Sequence, residues 1–170
     1  MKIRRSDLKS FDEPQVLQTT LFDIGVEDLG NPETPIEVEL KVHQQGEDLL
    51  VQGKLRTVLG LVCDRCLGCA SSPIEGEFNV WLVAGVLPES NDGEEERIFF
   101  PAHQKEVDIS DMIARTIYLE FPQKTLCRDD CQGLCPMCGI DLNQQTCECK
   151  SEEMDERWSA LLPIKRKLEE

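Results

Sequence analysis

Six of the nine cysteines in this 170-residue chain lie within 23 consecutive residues, and this spacing constrains the fold more than any other feature. These six are Cys127, Cys131, Cys135, Cys138, Cys147 and Cys149, and two more, Cys63 and Cys66, lie far upstream. Thiols at this density bind metal, form disulfides or carry out redox chemistry. Cys135-Pro-Met-Cys138-Gly139 has the form of a zinc knuckle, because a two-residue spacer turns both sulfurs toward one point and glycine permits the tight turn that follows. The pattern therefore favours a metal site.

The disulfide alternative depends on the compartment. Four of the first seven residues are charged, where a secretory signal needs an apolar stretch. No later run approaches the roughly 18 apolar residues that span a bilayer. We therefore expect a cytoplasmic protein, in which disulfides are rare and clustered cysteines bind metal. An odd number of cysteines also leaves one thiol unpaired in any scheme made only of disulfides.

Eight cysteines sort into four close pairs, and a tetrahedral zinc ion takes two such pairs. The pairs are Cys63/Cys66, Cys127/Cys131, Cys135/Cys138 and Cys147/Cys149. The last two are separated by eight residues, so they can close one site locally, although side chains two apart diverge unless a turn reorients them. Cys127/Cys131 then completes a second site with Cys63/Cys66. The sequence predicts two structural zinc ions and leaves Cys69 as a buried or free thiol.

The remaining sequence predicts an α+β fold. Apolar and polar residues alternate over 36–42 and 74–84, which is typical of strands with one buried face. The stretch 49–61 is rich in Val, Leu and Thr and predicts another strand, and a first strand is possible over 16–21. The connection 63–73 then joins two adjacent antiparallel strands. An apolar stripe with helical spacing predicts a helix over 108–121 that covers the sheet. Between them, the stretch 88–97 is predicted to be an acidic loop.

Two units are expected from this pattern. Residues 1–122 form a small antiparallel β-sheet domain covered by a helix. Residues 123–170 form a zinc-binding segment followed by a C-terminal helix that contains Trp158, Leu161 and Leu162.

Charge limits the choice of partners. A net charge of −15 repels bare nucleic acid unless basic residues are concentrated, and it suits a basic protein partner better. The two basic clusters, Lys2-Ile-Arg4-Arg5 and Lys165-Arg166-Lys167, are interpreted as short solvated tails.

Catalysis is not indicated by the sequence. Catalytic zinc keeps an open position and uses histidine or carboxylate ligands, yet His43 and His103 lie beside no cysteine pair. A Gly-rich phosphate loop and a nucleophile elbow are also missing from the sequence. We expect a non-enzyme. A cytosolic thiol-redox or metal-handling protein stays open as the alternative, because clustered cysteines can be reactive.

Three motifs together resemble one family. They are Cys63-Asp-Arg-Cys66-Leu67, the segment from Cys131 to Asn143, and Asp155-Glu-Arg-Trp-Ser-Ala-Leu161. The chain resembles the YceD family, the large ribosomal RNA subunit accumulation proteins, from roughly Val16 to Leu168. The resemblance implies a factor needed for normal levels of large-subunit ribosomal RNA. Its expected partner is a basic ribosomal protein or a large-subunit precursor, with direct RNA contact possible through the zinc knuckle, Arg128 or the basic termini.

Overall fold

A computed structural model describes residues 1–8, 13–85 and 96–149 of the chain. The strands are β1 (Lys2–Arg4), β2 (Gln15–Thr20), β3 (Pro35–Gln45), β4 (Asp48–Val62), β5 (Cys69–Val83), β6 (Glu96–Phe99) and β7 (Glu106–Asp108). The helices are α1 (Arg5–Leu8) and α2 (Ser110–Leu119), with a short 3₁₀ turn at Glu27–Leu29. The C-terminal helix predicted around Trp158 falls outside the described residues.

The alternating residues build a five-stranded sheet in the order β2-β3-β4-β5-β6. Neighbours from β2 to β5 are antiparallel, as the sequence predicts. Each alternating strand turns one set of side chains inward, so that Val38, Leu55 and Val80 are fully buried while the intervening residues face outward. The predicted sheet is therefore confirmed in its main part. β4 and β5 are each 15 residues long, and their hairpin carries the first cysteine pair at its tip.

The prediction of a wholly antiparallel sheet is wrong at one edge, because β6 pairs with β5 in parallel. Parallel neighbours need a long crossover connection, and the chain provides residues 84–95 between the two strands. Glu96 and Arg97, predicted as the end of the acidic loop, are the first residues of β6. Residues 88–95 of that loop fall outside the described residues.

Helix α2 covers the inner face of the sheet, as predicted, although it is shorter than the expected 108–121. Ile113 and Ile117 are fully buried, because they lie on the apolar stripe that faces the core. The close approach of α2 depends on Gly76 in β5, where an added Cβ would stand 2.5 Å from the methyl group of Thr116. Small size at position 76 therefore sets how closely the helix packs.

A second, two-stranded sheet pairs β1 with β7. The basic residues at the start of the chain were expected to form a solvated tail, and this expectation is wrong for the described structure. The Arg5 guanidinium donates to the carbonyl oxygens of Phe100, Pro101 and Gln104 and stacks 3.7 Å from the centre of the Phe100 ring. Arg5 therefore ties the N-terminal strand to the loop before β7. Among the described residues, no helix is long and apolar enough to cross a membrane.

Candidate metal centres

The first cysteine cluster, here called the hairpin cluster, joins the β4–β5 hairpin to the segment that follows α2. Cys63 and Cys66 lie in the loop between β4 and β5, and Cys127 and Cys131 come from the later segment. All four sulfurs lie within 4.8 Å of one another. The two contacts across the chain segments are 3.8 Å for Cys63–Cys131 and 3.6 Å for Cys66–Cys127. The hairpin cluster thus has the pairing that the sequence predicts.

The second cluster, here called the tail cluster, is built from one continuous stretch of chain. It contains Cys135, Cys138, Cys147 and Cys149, whose sulfurs also lie within 4.8 Å of one another. The sequence predicts this pairing because only eight residues separate the two pairs. A turn over 142–144 brings the chain back toward the first pair. The sulfurs of Cys147 and Cys149 lie within 4.8 Å of each other, so the divergence expected for side chains two residues apart does not occur.

The knuckle of the tail cluster has a tight turn with two backbone hydrogen bonds. The N–H of Cys135 donates to the carbonyl oxygen of Ile140 over 2.8 Å, and the N–H of Gly139 donates back to that of Cys135 over 2.9 Å. Gly139 has φ +72°, a left-handed conformation that glycine adopts without steric cost. The predicted role of this glycine in the turn is confirmed.

The hairpin cluster has the same turn with a different residue at the critical position. The N–H of Cys63 donates to the carbonyl oxygen of Gly68 over 2.8 Å, and the N–H of Leu67 donates to that of Cys63 over 2.9 Å. Leu67 therefore occupies the place that Gly139 has in the tail cluster, and it has φ +57°. A residue with a Cβ is disfavoured there by roughly 1–2 kcal/mol. The hairpin knuckle holds this conformation against its local preference.

One thiol of each knuckle is acidified by the backbone. The N–H of Cys66 points at the sulfur of Cys63 and lowers the pKa of that thiol to about 6. The N–H of Cys138 does the same for Cys135, whose pKa is also lowered to about 6. Backbone donors aimed at a sulfur stabilise its thiolate. Each cluster is thus prepared to present an anionic ligand near neutral pH.

Cys127 and Cys149 of the later pairs have pKa values shifted in the opposite direction. The neighbouring Cys131 thiol raises the pKa of Cys127 to about 12, and the Cys138 thiol raises that of Cys149 to about 12. Four thiols this close cannot all ionise together, because each new negative charge repels the others. A divalent cation at the centre removes that cost. Four thiolates whose sulfurs lie within 4.8 Å of one another form a donor set that suits zinc, so the residues present fit the ion.

Hydrogen bonds hold the two halves of the hairpin cluster in register. The N–H of Asp64 donates to the carbonyl oxygen of Thr125, and the N–H of Thr125 donates to the Asp64 carboxylate over 2.6 Å. The Arg65 guanidinium donates to the carbonyl oxygen of Cys131 over 2.8 Å, while the N–H of Leu134 donates to that of Arg65. The two residues inside the Cys63–Cys66 spacer therefore anchor the later segment.

Asn143 is a residue of the site that the sequence presents only as a turn-former. Its side chain donates to the sulfur of Cys131 over 3.5 Å and accepts hydrogen bonds from the N–H of Gln132 and the guanidinium of Arg128. The Asp141 carboxylate holds it in place. Asp141-Leu-Asn143 fits a turn in which an aspartate accepts from the N–H two residues on. This spacing predicts the turn but not its contact with another cysteine.

The other residues considered from the sequence lie apart from both clusters. Cys69 begins β5 and is exposed, so it is the free thiol that the sequence allowed. His43 lies in β3 and pairs with the Gln52 side chain over 3.1 Å. Within the described part of the chain, the groups of residues that could hold a metal ion are the two cysteine clusters, and neither contains histidine. Such closed sets of four thiols are typical of structural sites.

The family profile described as "Large ribosomal RNA subunit accumulation protein YceD" matches residues 51–165, which include every cysteine of both clusters. The chain belongs to the YceD family. The resemblance found in the three sequence motifs is thereby confirmed.

Several curated proteins are similar to this YceD-family chain. A chloroplastic YCED homolog 1 of Arabidopsis thaliana is 28% identical over 162 residues, covering 81% of this chain and 50% of the relative. Its counterpart from Zea mays is 30% identical over 161 residues, covering 79% of this chain and 54% of the relative. An uncharacterized protein of Mycobacterium tuberculosis is 32% identical over 132 residues, covering 76% of this chain and 61% of the relative. The chain thus spans about half to three-fifths of these relatives' lengths. No solved structure matches it.

Proposed function

We propose that this chain is a non-enzymatic factor that supports the accumulation of large-subunit ribosomal RNA and ribosome biogenesis, with one structural zinc ion in each cysteine cluster. The observation that carries the proposal is that both four-thiol clusters lie inside the region shared with the large ribosomal RNA subunit accumulation family. The family name gives the process, and the clusters give the physical means by which the chain keeps its shape.

Zinc in the hairpin cluster would join the two units expected from the sequence, the sheet domain 1–122 and the segment 123–170. That segment has few buried apolar residues of its own, with Thr125, Cys131, Gly133 and Cys135 as its buried positions among those described. Zinc binding in comparable peptides contributes roughly 10–16 kcal/mol of apparent free energy. This is at least as large as the stability of a whole domain, roughly 5–15 kcal/mol. Metal rather than a hydrophobic core would hold the segment on the sheet.

The same geometry argues for a structural rather than a catalytic ion. Catalytic zinc needs a position for water or substrate, and four cysteine ligands leave none. A cavity of about 540 Å³ lies on the outer face of the sheet, away from both clusters. Its walls include Arg56 and Glu75, whose charged groups pair with each other. We therefore assign the ions a role in folding and recognition.

Recognition is proposed to run through protein rather than bare RNA. The net charge of −15 disfavours phosphate contact and favours a basic ribosomal protein on a precursor particle. Arg128, considered as an RNA contact from the sequence, has its guanidinium bound to Asn143 and paired with Asp130 over 3.3 Å. These contacts make it a weaker candidate for phosphate binding. The proposed compartment is the cytoplasm, whereas the named plant relatives are chloroplastic.

Complementation tests the link between zinc and function. In a host strain lacking the gene, the wild-type chain and Cys69→Ser should restore the level of large-subunit ribosomal RNA, whereas Cys63→Ser and Cys138→Ser should not. Cys69→Ser is the matched control, because it removes an exposed thiol outside both clusters. If each of the two variants, Cys63→Ser and Cys138→Ser, fully restored the level of large-subunit ribosomal RNA, a structural need for the clusters would be refuted.

Affinity capture tests the proposed partner. Tagged protein should retain basic large-subunit proteins after ribonuclease treatment, and moderate salt should weaken the interaction. Capture that disappears on ribonuclease treatment, together with tight binding to purified large-subunit RNA, would assign recognition to RNA. Zinc that is retained through purification with unreactive thiols would separate this proposal from a thiol-redox or metal-handling role.

A further inference from the structure

Asn143 belongs to one cluster by its place in the sequence and to the other by its contacts. It lies in the stretch 139–146 that connects the two cysteine pairs of the tail cluster. Its side chain reaches back to Cys131 of the hairpin cluster. A change in the shape of the tail loop therefore moves a group that contacts Cys131, a cysteine of the hairpin cluster.

The carbonyl oxygen of the Asn143 side chain organises the backbone that carries the hairpin cluster. It accepts from the N–H of Gln132 over 2.8 Å and from the Arg128 guanidinium over 2.7 Å. Gln132 directly follows Cys131, and Arg128 directly follows Cys127. One oxygen atom thus fixes the residues next to both cysteines that this segment contributes to the hairpin cluster.

The amide nitrogen of the same side chain contacts the ligand itself. It donates to the sulfur of Cys131, which is buried, and also to the Asp141 carboxylate over 2.6 Å. A hydrogen bond to a metal-bound thiolate withdraws part of its charge and fixes its orientation. The donor position depends on Asp141, whose carboxylate also accepts from the N–H of Asn143 over 2.9 Å.

The tail loop itself is attached to the same segment by its backbone. The N–H of Leu142 donates to the carbonyl oxygen of Gly133 over 2.9 Å, and Leu134 pairs with Asp141 as an isolated β-bridge. A metal ion in the tail cluster would close this loop at both ends, between Cys138 and Cys147. Closing the loop restricts the positions that Asn143 can occupy. The hairpin cluster then loses less conformational entropy when it binds its own ion.

From this arrangement we propose that Asn143 couples the two clusters, so that a metal ion in either one raises the affinity of the other. The inference rests on the proposed function with its structural zinc ions, and it goes beyond that proposal because it makes the binding of the two ions cooperative. The effect is reciprocal, since a coupling free energy between two sites acts equally in both directions. Asn143 is a positioning residue, because it acts on the metal through Cys131.

The distribution of metal stoichiometries measures the coupling. The full chain is titrated with a zinc chelator of known affinity, and the species are counted by native mass spectrometry. As the chelator is added, the wild-type protein should lose both zinc ions together, so that little of the one-ion species is seen. Asn143→Ala should accumulate the one-ion species, because loss of such an outer contact weakens metal binding by about 10–100-fold. Gln145→Ala is the matched control from the same loop. It should behave as wild type, because the Gln145 side chain is exposed and makes no hydrogen bond to the hairpin cluster among the described residues.

Asn143→Asp separates the donor from the acceptor function. It keeps oxygen atoms for Gln132 and Arg128 but removes the N–H group that faces Cys131. In protein loaded with cadmium-113, both Asn143 variants should shift the resonance of the hairpin cluster and leave that of the tail cluster near its wild-type position. A merely structural role in the turn would move both resonances or neither.

A double-mutant cycle completes the test. Cys138→Ser disables the tail cluster, and it should lower the affinity of the hairpin cluster about tenfold in the wild-type background. In the Asn143→Ala background it should lower that affinity no further. Equal effects in both backgrounds, or a one-ion species as abundant in wild type as for independent sites, would overturn the coupling while leaving the structural zinc ions in place. Failure of the wild-type chain to bind any zinc would instead refute the proposed function.

Discussion

Gly53 and Phe78 give the sharpest test of the sheet that carries the metal sites. They are directly paired across β4 and β5, and the Phe78 ring lies over the glycine. A Cβ added at Gly53 would stand 2.6 Å from one ring carbon and closer still to two others. The backbone of Gly53 is not left-handed, so alanine there is opposed by the ring alone.

Gly53→Ala is expected to destabilise the fold by overpacking, because Phe78 is only 6% exposed and its ring has little room to move. Such insertions cost about 1–3 kcal/mol. For a chain of this size, that lowers the melting temperature by roughly 2–12 °C. Denaturant unfolding at a fixed excess of zinc, followed by circular dichroism, measures the free energy of unfolding directly.

Gly60→Ala is the matched control, since it makes the same change in the same strand where the added Cβ meets nothing within 4 Å. It should stabilise the protein by up to about 1 kcal/mol, because alanine has less conformational freedom to lose on folding. Shortening the ring with Phe78→Leu should recover part of the stability lost by Gly53→Ala. Equal stabilities of Gly53→Ala and Gly60→Ala would refute the contact between the glycine and the ring.

Three further predictions concern the metal clusters. Native mass spectrometry of protein purified under reducing conditions should find two zinc ions, and a single ion would remove one cluster from the proposal. Leu67→Gly should tighten metal binding at the hairpin cluster by up to several-fold in chelator competition, because it relieves a left-handed residue that costs roughly 1–2 kcal/mol. Gly139→Ala should weaken the tail cluster by a similar factor, and unchanged affinities in both variants would contradict the shared turn geometry. Zinc affinity should fall more steeply with acidity below about pH 6 than above it, because metal displaces thiol protons and the pKa values of Cys63 and Cys135 lie at about 6. A slope that stays constant through pH 6 would show that these thiols are not acidified.

The parts of the fold set by local patterns were predictable from the sequence. Alternation over 36–42 and a high content of Val, Leu and Thr over 49–61 produce strands whose inner residues are buried, and helical spacing produces α2. Close spacing was also enough to predict the four cysteine pairs, because a single turn of the chain can direct two thiols at most four residues apart toward the same point. The pairing of Cys63/Cys66 with Cys127/Cys131 then followed from the need for four ligands per ion.

The features that the sequence did not predict depend on contacts between distant residues. The three-residue strand β1 pairs with residues more than 100 positions away, and strands this short have no clear alternation. The parallel direction of β6 is set by where the crossover returns, which no pattern inside Glu96–Phe99 indicates. β5 begins at Cys69, inside the predicted connection 63–73, because pairing with β4 outweighs the weak strand preference of its Ser and Pro residues. The contact of Asn143 with Cys131 was hidden for the same reason.

The position of the hairpin cluster also has a consequence for synthesis on the ribosome. Its two halves are separated by 61 residues between Cys66 and Cys127 and by 68 between Cys63 and Cys131. At roughly 5–20 residues per second, the hairpin thiols leave the ribosome roughly 3–14 s before their partners. During that interval Cys63 and Cys66 form an incomplete ligand pair that is open to oxidation or to the wrong metal. The tail cluster has no such delay, since its four cysteines span only 15 residues and emerge almost together. Nascent chains should therefore be most sensitive to oxidants and zinc depletion at the hairpin pair, which waits longest for its partners.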